Sequence, residues 1–510
     1  MFFLALLPIL LILFLMTIRN WGAARAGAAG YLLALLIAII FFGAGPDLLA
    51  YAHAKALLLT LDVLLIIWAA YLLYRVADES GAIKMLGNAL PHLTADKGMQ
   101  ALIIGWAFAS FLQGVGGFGV PVAVIAPILV GLGFPALAAV IIPSLGHAWA
   151  VTFGSLGSSF QALMAASNLP QETLGIPAAL FLGAAGLLTG FMVAHAAGGW
   201  HTLRRLWLPT LILGVVMGAA QLLMVQFGLW NIAAFVGGAA GLLAALPLAA
   251  RWHRGSGTPE GTANLREVAL ALSGYAILVA LILGVQFIPG IKAALGSVKI
   301  HLDFPQLTTR LNYITPAGSG RDIPIFIHAG SLLFYAAALA YLIYHRAGLY
   351  TAGAGKRIVQ NTLRGVMSSS VSIAAMVTMA VLMQHAGMTD ALARALAEGM
   401  GAAFPLTSPW IGALGAFMTG SNTNSNVVFA ALQLRTAELL TYAPAWILAA
   451  QTAGGALGSV IAPTKIVVGA STAGMQGREG EVLRKMLGYT ALMIALISLL
   501  TPLALWITSR

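Results

Sequence analysis

Residues 409–434 read PWIGALGAFMTGSNTNSNVVFAALQL, in which small polar side chains separate two short apolar stretches. The flanking stretches, 409–419 and 427–434, are too short to cross a hydrocarbon core of about 30 Å, which needs about 20 helical residues. A polar run at 421–426 has no packing role in lipid. The stretch therefore predicts a re-entrant hairpin whose tip ends inside the membrane, where it is buried in protein or lines a cavity.

A similar interruption lies much earlier in the chain. Residues 98–112 give about 15 helical residues, or roughly 22 Å, and are followed by QGVGGFGVP at 113–121 and a short apolar stretch at 121–130. The segments after the two hairpins, 135–157 and 442–473, are apolar but are cut by polar residues and glycines. We expect both segments to form helices that are broken within the membrane.

The composition excludes a soluble protein. Of the 510 residues 60% are hydrophobic and only 8% are charged, whereas soluble domains have about 25% charged residues. The absence of cysteine excludes disulfides and thiolate ligands. Uninterrupted apolar runs long enough for membrane helices lie at 1–18, 26–43, 57–74, 176–197, 206–227, 230–250, 268–288, 325–344, 363–385 and 486–507. The fold class is therefore an all-α polytopic membrane protein with about twelve transmembrane helices.

The basic residues give an orientation. With each hairpin entering and leaving on one side, most arginines and lysines, including Arg75, Arg205, Arg254 and Arg484, fall in loops on one face. Cytoplasmic loops carry this excess, so both termini are predicted outside a plasma membrane. The net charge of +11 then reflects loop bias, and nucleic acid is not an expected partner. The first apolar run has no basic leader and is expected to be a retained helix.

The two interrupted regions resemble each other. Phe111 and Gly114 correspond to Phe417 and Gly420, and Gly146 corresponds to Gly454. Inverted repeats with broken helices are a common design of secondary transporters. We expect a scaffold at 1–97, a first transport repeat at 98–175, central helices at 176–407 with an outer loop at 289–324, a second transport repeat at 408–475 and a C-terminal helix at 476–510.

Polar hairpin tips and half-helix N-termini predict an anion site, because free amides and the helix dipole favour negative charge. Lys465 would lie in the membrane, where a cation needs an internal partner. The substrate-binding candidates are Gln113, Gly114, Gly116, Gly117, Ser144, His147, Thr152, Ser155, Gly420, Ser421, Asn422, Thr423, Asn424, Ser425, Gln451, Thr464 and Lys465. A bound carboxylate would contact Ser421, Asn422, Thr423 and Lys465, and a 2-hydroxyl would contact Gln113 or Asn424.

Structural alternatives stay open for several of these residues. The glycines could serve close helix packing, Lys465 could extend to the interface, and His147 could be a hydrogen-bonded helix histidine. Asp62, the only acid within an uninterrupted apolar run, could carry a proton or act as a structural partner. Neither a metal site nor a cofactor is predicted, and no nucleophile elbow supports an intramembrane enzyme.

At these residues the sequence resembles the L-lactate permease family, which includes glycolate permeases. The shared motifs are FLQGVGGFGVP at 111–121, LVGLGF at 129–134, FGSLG at 153–157, TGSNTNSN at 419–426 and GGALGSVIAP at 454–463. The resemblance implies import of L-lactate and related 2-hydroxy monocarboxylates, such as D-lactate and glycolate, together with protons. It also implies paired hairpins, broken helices and often an elevator-type movement.

The chain departs from that family at three positions. The resemblance implies acids where this chain has Gln113 and Asn422, and a serine where it has Lys465. The site is thus less negative, and proton coupling would use Asp62, His147 or Lys465. The alternatives are a transporter of the same fold that uses sodium or carries another small organic anion, a scaffold with a degenerate site and, less favoured, an intramembrane enzyme. The oligomer is predicted to be a monomer or a homodimer.

Overall fold

The computed structural model describes residues 1–19, 21–117, 119–251, 265–319 and 322–508 of the chain. Phe118 of the glycine-rich motif and Arg254 of a predicted basic loop lie outside these ranges, as do the last two residues of the predicted C-terminal helix.

Helices make up most of the described chain. In the first half they are α1 (Phe2–Thr17), α2 (Ala23–Phe41), α3 (Pro46–Glu79), α4 (Ala82–Ala89), α5 (Lys97–Gln100), α6 (Ala109–Val115), α7 (Val120–Gly131), α8 (Ala136–Gly146), α9 (Ser158–Ser167), α10 (Gln171–Arg205), α11 (Trp207–Gln226) and α12 (Ala233–Arg251). In the second half they are α13 (Leu265–Phe287), α14 (Pro289–Gly296), α15 (Ala329–Arg346), α16 (Ala354–His385), α17 (Met388–Met400), α18 (Phe404–Thr419), α19 (Asn422–Leu439), α20 (Pro444–Ser459), α21 (Pro463–Thr472) and α22 (Glu479–Thr508).

Eleven helical segments of the described chain are long and apolar enough to cross a membrane. This number is close to the about twelve crossings expected from the apolar runs, and the predicted all-α polytopic membrane protein is confirmed. The predicted first span forms α1, which at 16 residues is shorter than those candidates.

Proline at the start of α3 and Asp47 in its first turn are both favourable there, because proline lacks the amide that would be unpaired and the acid complements the helix dipole.

The first predicted hairpin differs from expectation in its entering arm. A π-helical segment, Ala101–Phe108, joins α5 to α6, so the helix runs from Lys97 to Val115 and has 19 residues rather than about 15. Its length therefore does not exclude a full crossing, and a re-entrant path stays a prediction. Gln113 and Gly114 were expected in the non-helical tip but lie in α6. The chain reverses afterwards, where Gly117 and Gly119 have φ of 59° and 86°.

The second predicted hairpin has a much shorter tip than expected. Gly420, with φ of 71°, ends α18, and Ser421 is already the N-cap of α19. The Ser421 hydroxyl accepts a hydrogen bond from the backbone N–H of Asn424 at 3.3 Å. Serine and asparagine favour helix starts for this reason, so most of the polar run forms the first turns of α19 instead of a loop.

Both segments that follow the hairpins are interrupted, as predicted. Between α8 and α9 the chain forms two short 3-10 turns, and Ser155, Leu156 and Gly157 all have positive φ. Between α20 and α21 the break covers only residues 460–462 and ends at Pro463, which cannot continue the preceding helix.

Glycines allow the interrupted helices to touch the hairpin arms with their backbones. A Cβ on Gly146 of α8 would lie 1.8 Å from the Gly105 carbonyl oxygen, and one on Gly454 of α20 would lie 1.9 Å from that of Pro409. Small residues permit this close approach between membrane helices. The two glycines are the pair that the sequence comparison matched, so each occupies the same kind of contact in its own segment.

The predicted outer loop contains strands that the sequence did not suggest. Three antiparallel pairs, β1 (Lys299–Ile300) with β6 (Ile323–Pro324), β2 (Asp303–Phe304) with β5 (Gly318–Ser319) and β3 (Leu307–Thr308) with β4 (Ile314–Thr315), follow one another as a single interrupted hairpin. Pro305 and Pro316 lie between the pairs, and proline cannot donate to a ladder. We call residues 299–324 the outer hairpin.

Candidate functional site

A polar cleft of about 500 Å³ lies where the two hairpin regions face α3 and α16. Nine of the predicted site residues line it: Gln113, Ser155, Gly420, Ser421, Asn422, Thr423, Asn424, Thr464 and Lys465. The structure thus brings together residues from four separate segments of the sequence. Two of these segments lie in each of the regions that were matched as repeats.

Five helices begin at this cleft. First-turn residues that line it are Ala23 of α2, Val120 of α7, Ser158 of α9, Asn422 of α19 and Thr464 of α21. The amides of a first turn have no acceptor within their own helix, and the N-terminal end carries partial positive charge. The cleft is therefore surrounded by groups that favour an anion.

Lys465 adds a full positive charge to the cleft. It is half-buried in the first turn of α21, and its ammonium donates to the Ser459 hydroxyl at 3.0 Å. Among the residues that the structure describes, no carboxylate forms an ion pair with it. The predicted anion is therefore the natural counter-charge at this position.

The wider charge balance of the cleft points the same way. Arg75 of α3 is the second basic residue that lines it, and none of the described lining residues is acidic. The Arg75 guanidinium donates to the Tyr71 hydroxyl at 2.9 Å and to the Asp78 carboxylate at 3.1 Å. Asp78 itself does not line the cleft. The rest of the lining combines apolar side chains, such as Ile67, Val151 and Val468, with hydroxyl and amide groups that can bind a small polar solute without adding charge.

Hydrogen bonds connect the start of α19 to both interrupted helices. The Asn422 amide donates to Thr152 at 3.1 Å and to Thr452 at 3.3 Å, and Asn426 donates to Thr452 at 2.9 Å. On the other side, the Thr423 and Ser159 hydroxyls lie 3.0 Å apart. These bonds hold the polar end of α19 between the α8–α9 break and the middle of α20.

Several predicted site residues do not line the cleft. Thr152 lies behind Asn422, and Ser144 donates to its own helix at the Val140 carbonyl, 2.7 Å away. Ser425 donates to the Gly412 carbonyl at 2.7 Å, and the Gln451 amide reaches the Ser425 hydroxyl at 3.0 Å. These four side chains support the elements that form the cleft.

The glycines of the first motif serve close packing. A Cβ on Gly114 would lie 2.4 Å from the Phe235 amide nitrogen, and one on Gly116 would lie 3.2 Å from the Tyr74 ring. Gly117 is so close to Ser155 that a Cβ would overlap the hydroxyl. The packing alternative therefore describes these three positions better than direct contact with a ligand.

His147 is a helix histidine by geometry. The side chain is fully buried, and its Nδ1 lies 2.7 Å from the Pro143 carbonyl oxygen. Because a carbonyl only accepts, Nδ1 carries the proton and Nε2 has a free lone pair. Among the described residues Nε2 has no hydrogen-bond partner, so His147 keeps an unused acceptor behind the cleft.

The sequence reasoning missed part of the cleft wall. Ser368, Ser369 and Ser372 of α16 line it opposite the start of α19, and the Ser372 hydroxyl accepts from Asn424 at 3.0 Å. A run of serines inside the apolar stretch at 363–385 was the available signal. Arg75 was counted only as a loop charge, although it follows Tyr71 and Tyr74 in one apolar run.

Asp62 lies away from the cleft in a separate cluster. Its carboxylate accepts from Gln161 at 2.6 Å and contacts His328 Nε2 at 2.9 Å. Neither partner was predicted from the sequence, because each comes from a distant segment. Within the described ranges no group of three or more His, Cys, Asp or Glu side chains could hold a metal ion.

The fold resembles that of a known transporter. The solved structure of MtrF from Neisseria gonorrhoeae, described as one of a class of antimetabolite efflux pumps, aligns over 96% of this chain and 96% of its own. The TM-score is 0.52 at 14% sequence identity, a level at which the likeness concerns the fold alone.

Sequence comparison gives closer relationships. Glycolate permease GlcA of Escherichia coli strain K12 is 27% identical over 99% of this chain and 95% of its own length. The L-lactate permease of Bacillus subtilis strain 168 is 27% identical over 98% of this chain and 94% of its own. The L-lactate permease profile matches residues 1–508. With this match along nearly its whole length, the chain belongs to the L-lactate permease family, whose members are transporters rather than enzymes.

Proposed function

We propose that this protein is a secondary transporter of the plasma membrane that imports L-lactate and related small 2-hydroxy monocarboxylates such as D-lactate and glycolate. The observation that carries the proposal is the cleft lined by Lys465 and by the first turns of five helices, with no acidic residue among its described lining. Relatives named as lactate and glycolate permeases support the substrate class.

The substrate carboxylate would lie near Lys465 and the first turns of α19 and α21, where Ser421 and Thr423 add hydroxyl donors. The 2-hydroxyl would be bound by the amides of Gln113 or Asn424. Each has a side-chain oxygen without a partner in the described part of the chain, and an unpaired buried acceptor costs about 1–3 kcal/mol. A substrate hydroxyl would relieve that cost, which supports selection for 2-hydroxy acids over simple acids.

The cleft extends to Gly22 in the loop after α1 and to Arg75 near the end of α3. Both belong to the face with the basic loops, which the positive-inside rule assigns to the cytoplasm. We therefore interpret the conformation as open to the cytoplasm, with both termini outside. Alternating access would move the hairpin regions, 98–175 and 408–475, against the remaining helices.

Proton symport is the proposed coupling. Sodium is the second candidate, and one observation favours it: the Asn422 and Asn426 side-chain oxygens lie on one face of α19 and have no donor within the described residues. Neutral oxygens of this kind can bind hard cations. The helix dipole at the same place opposes a cation, so the proton remains the preferred coupling ion.

Uptake into proteoliposomes tests the proposal. Purified protein should accumulate labelled L-lactate under an inward proton gradient, and unlabelled glycolate should compete with it. A sodium gradient alone should produce no accumulation of lactate above the external concentration. Accumulation driven only by sodium would replace the proton, and equal rates with and without protein would contradict transport of this substrate class.

A further inference from the structure

The Asp62 cluster joins parts of the chain that the proposed function would set in relative motion. Asp62 lies midway along α3 and is only 2% exposed. Its two oxygens contact different elements: Oδ1 faces His328 at the start of α15, and Oδ2 faces Gln161 of α9. Helix α3 belongs to the proposed scaffold and α15 to the central helices, whereas α9 belongs to the first transport repeat, which would move against both.

The protonation pattern of the cluster follows from its hydrogen bonds. The Gly330 amide donates to His328 Nδ1 at 3.2 Å, so Nδ1 must be the unprotonated nitrogen. The neutral ring then carries its proton on Nε2 and donates it to Asp62. Gln161 also donates through its Nε2. Two donors pointing at one carboxyl group describe an ionised Asp62.

Protonation of Asp62 would disturb this arrangement. A carboxylic acid keeps acceptor capacity but gains an O–H, which neither His328 Nε2–H nor Gln161 Nε2–H can accept. It also loses the negative charge that makes a hydrogen bond to a carboxylate roughly twice as strong as a neutral one. The bond from Gln161 is therefore weaker in the acid, so the contact between α3 and α9 changes when a single proton binds.

A pocket lies beside Asp62 and extends to the outer hairpin. Asp62 lines this pocket of about 60 Å³ together with Lys55 and with Phe304 and Ile323 of the outer hairpin. The volume has room for at least one water, which needs about 10–15 Å³ by the same kind of measure. On its other side α9 carries Ser158 and Ser159, which line the cleft.

The charged and titratable groups around Asp62 come from each neighbouring element. His328 belongs to α15, and Lys55 lies two turns earlier on α3 and lines the same pocket. His385, at the end of α16, is close enough to Lys55 for their charges to interact. The part of α9 that contacts Asp62 contributes only the neutral Gln161.

We propose that Asp62 is the residue at which the coupled proton binds, that the proton reaches it through the pocket beneath the outer hairpin, and that its ionisation controls the α3–α9 contact through Gln161. The ionised acid holds α9 closed on the outer side while the cleft is open to the cytoplasm. Binding of a proton from outside releases this contact. The inference rests on the proposed transport of 2-hydroxy monocarboxylates and adds to it the location of the proton.

The test compares two modes of transport in proteoliposomes for wild type, Asp62→Asn and the control Asp47→Asn, an exposed acid on the same helix. Counterflow at equal pH measures substrate exchange, and a gradient of about one pH unit measures coupling. For one proton per substrate that gradient supports about tenfold accumulation, and protein-free liposomes correct for leakage of the free acid. We expect Asp62→Asn to keep counterflow and to accumulate no more than protein-free liposomes, while Asp47→Asn behaves as wild type.

Tenfold accumulation by Asp62→Asn would overturn the inference. If this variant loses counterflow as well, Gln161→Leu decides, because it removes the α3–α9 bond but keeps the acid. Gln161→Leu should retain counterflow and lose at least half of the accumulation, and unchanged accumulation would reject the role of Asp62. Failure of counterflow in the wild type would instead contradict the proposed function, so the two failures are distinguishable.

Discussion

The hydroxyl oxygens of Thr152 and Thr452 lie 3.2 Å apart, so the break between α8 and α9 contacts the middle of α20. Thr152 belongs to the turn between α8 and α9, and Thr452 lies in the middle of α20. Asn422 at the start of α19 donates to both threonines. This junction fixes the second hairpin against both interrupted segments and so determines the shape of the cleft.

Replacement of Thr452 should therefore destabilise the protein. Thr452→Val keeps the side-chain volume but removes the acceptor shared by Asn422 and Asn426, and a buried donor left unpaired costs about 1–3 kcal/mol. We expect a lower melting temperature in detergent. Thr436→Val is the matched control on α19, because the Thr436 hydroxyl donates only to the carbonyl of Leu432 in its own helix. Equal melting temperatures for the two variants would contradict the junction.

The glycine contacts predict a second pair of effects. Gly146→Ala and Gly454→Ala would each place a methyl group within 2 Å of a backbone oxygen, and overpacking of this kind costs about 1–3 kcal/mol, occasionally more. Gly284→Ala on α13 has open space around the added Cβ and should be neutral or stabilising, because alanine is the better helix former by about 1 kcal/mol. Thermal unfolding of the three variants checks the signs, and a stable Gly454→Ala would disprove the contact.

Asp390 should contribute stability that depends on pH. Burial alone would raise the pKa of Asp390, but hydrogen bonds from Arg435 and Arg394 lower it below its ordinary value. A lowered pKa gives stability that is present above about pH 4 and is lost as the pH falls through the folded-state value. Because both arginines are more than a third exposed, Asp390→Asn should cost only about 0.5–1 kcal/mol at neutral pH, and the cost should shrink in acid. A cost that is unchanged at low pH would point to packing instead.

The outer hairpin carries an exposed histidine with two acidic partners. Hydrogen bonds that the His301 ring donates to the carboxylates of Asp322, at 2.5 Å, and Asp303, at 3.1 Å, raise the pKa of His301. The ion pairs of His301 with the two acids therefore stabilise the outer hairpin below the ordinary histidine pKa. This stabilisation is lost as the pH rises through the raised pKa of His301. We expect Asp322→Asn to lower the His301 pKa measured by NMR, with His301→Gln used to assign the signal. An unchanged titration would show that the hairpin does not hold this pair in solution.

Local sequence patterns predicted where helices are interrupted but not how far the flanking helices extend. The glycine-rich stretch at 113–121 and Gly420 with the polar run after it predicted where the chain would leave a helix, since glycine frees the backbone locally. The first arm is longer than predicted, because a π-helical segment whose side chains are all buried extends the helix beyond the expected stretch. The polar run after Gly420 starts α19 instead of forming the predicted hairpin tip, because serine and asparagine are equally typical of a helix start.

The site was predictable where chemistry is concentrated in a short motif and not where it depends on distant contacts. Lys465 and Asn422 could be identified because a cation and an amide stand out in apolar sequence. His328 could not be connected to Asp62, because nothing in the local pattern shows which distant helix will face it. Arg75 was similarly hidden, since its position at the end of an apolar run is typical of ordinary loop charge.

Binding of labelled L-lactate to purified protein tests the anion site most directly. Lys465→Met removes the charge and keeps an unbranched side chain, while Lys84→Met removes an exposed lysine on α4 that does not line the cleft. We expect Lys465→Met to raise the Kd for L-lactate at least about tenfold, a loss of about 1.4 kcal/mol of binding free energy. Its melting temperature should be unchanged, and Lys84→Met should bind L-lactate as the wild type does. Wild-type affinity in a folded Lys465→Met protein would show that the carboxylate is bound elsewhere.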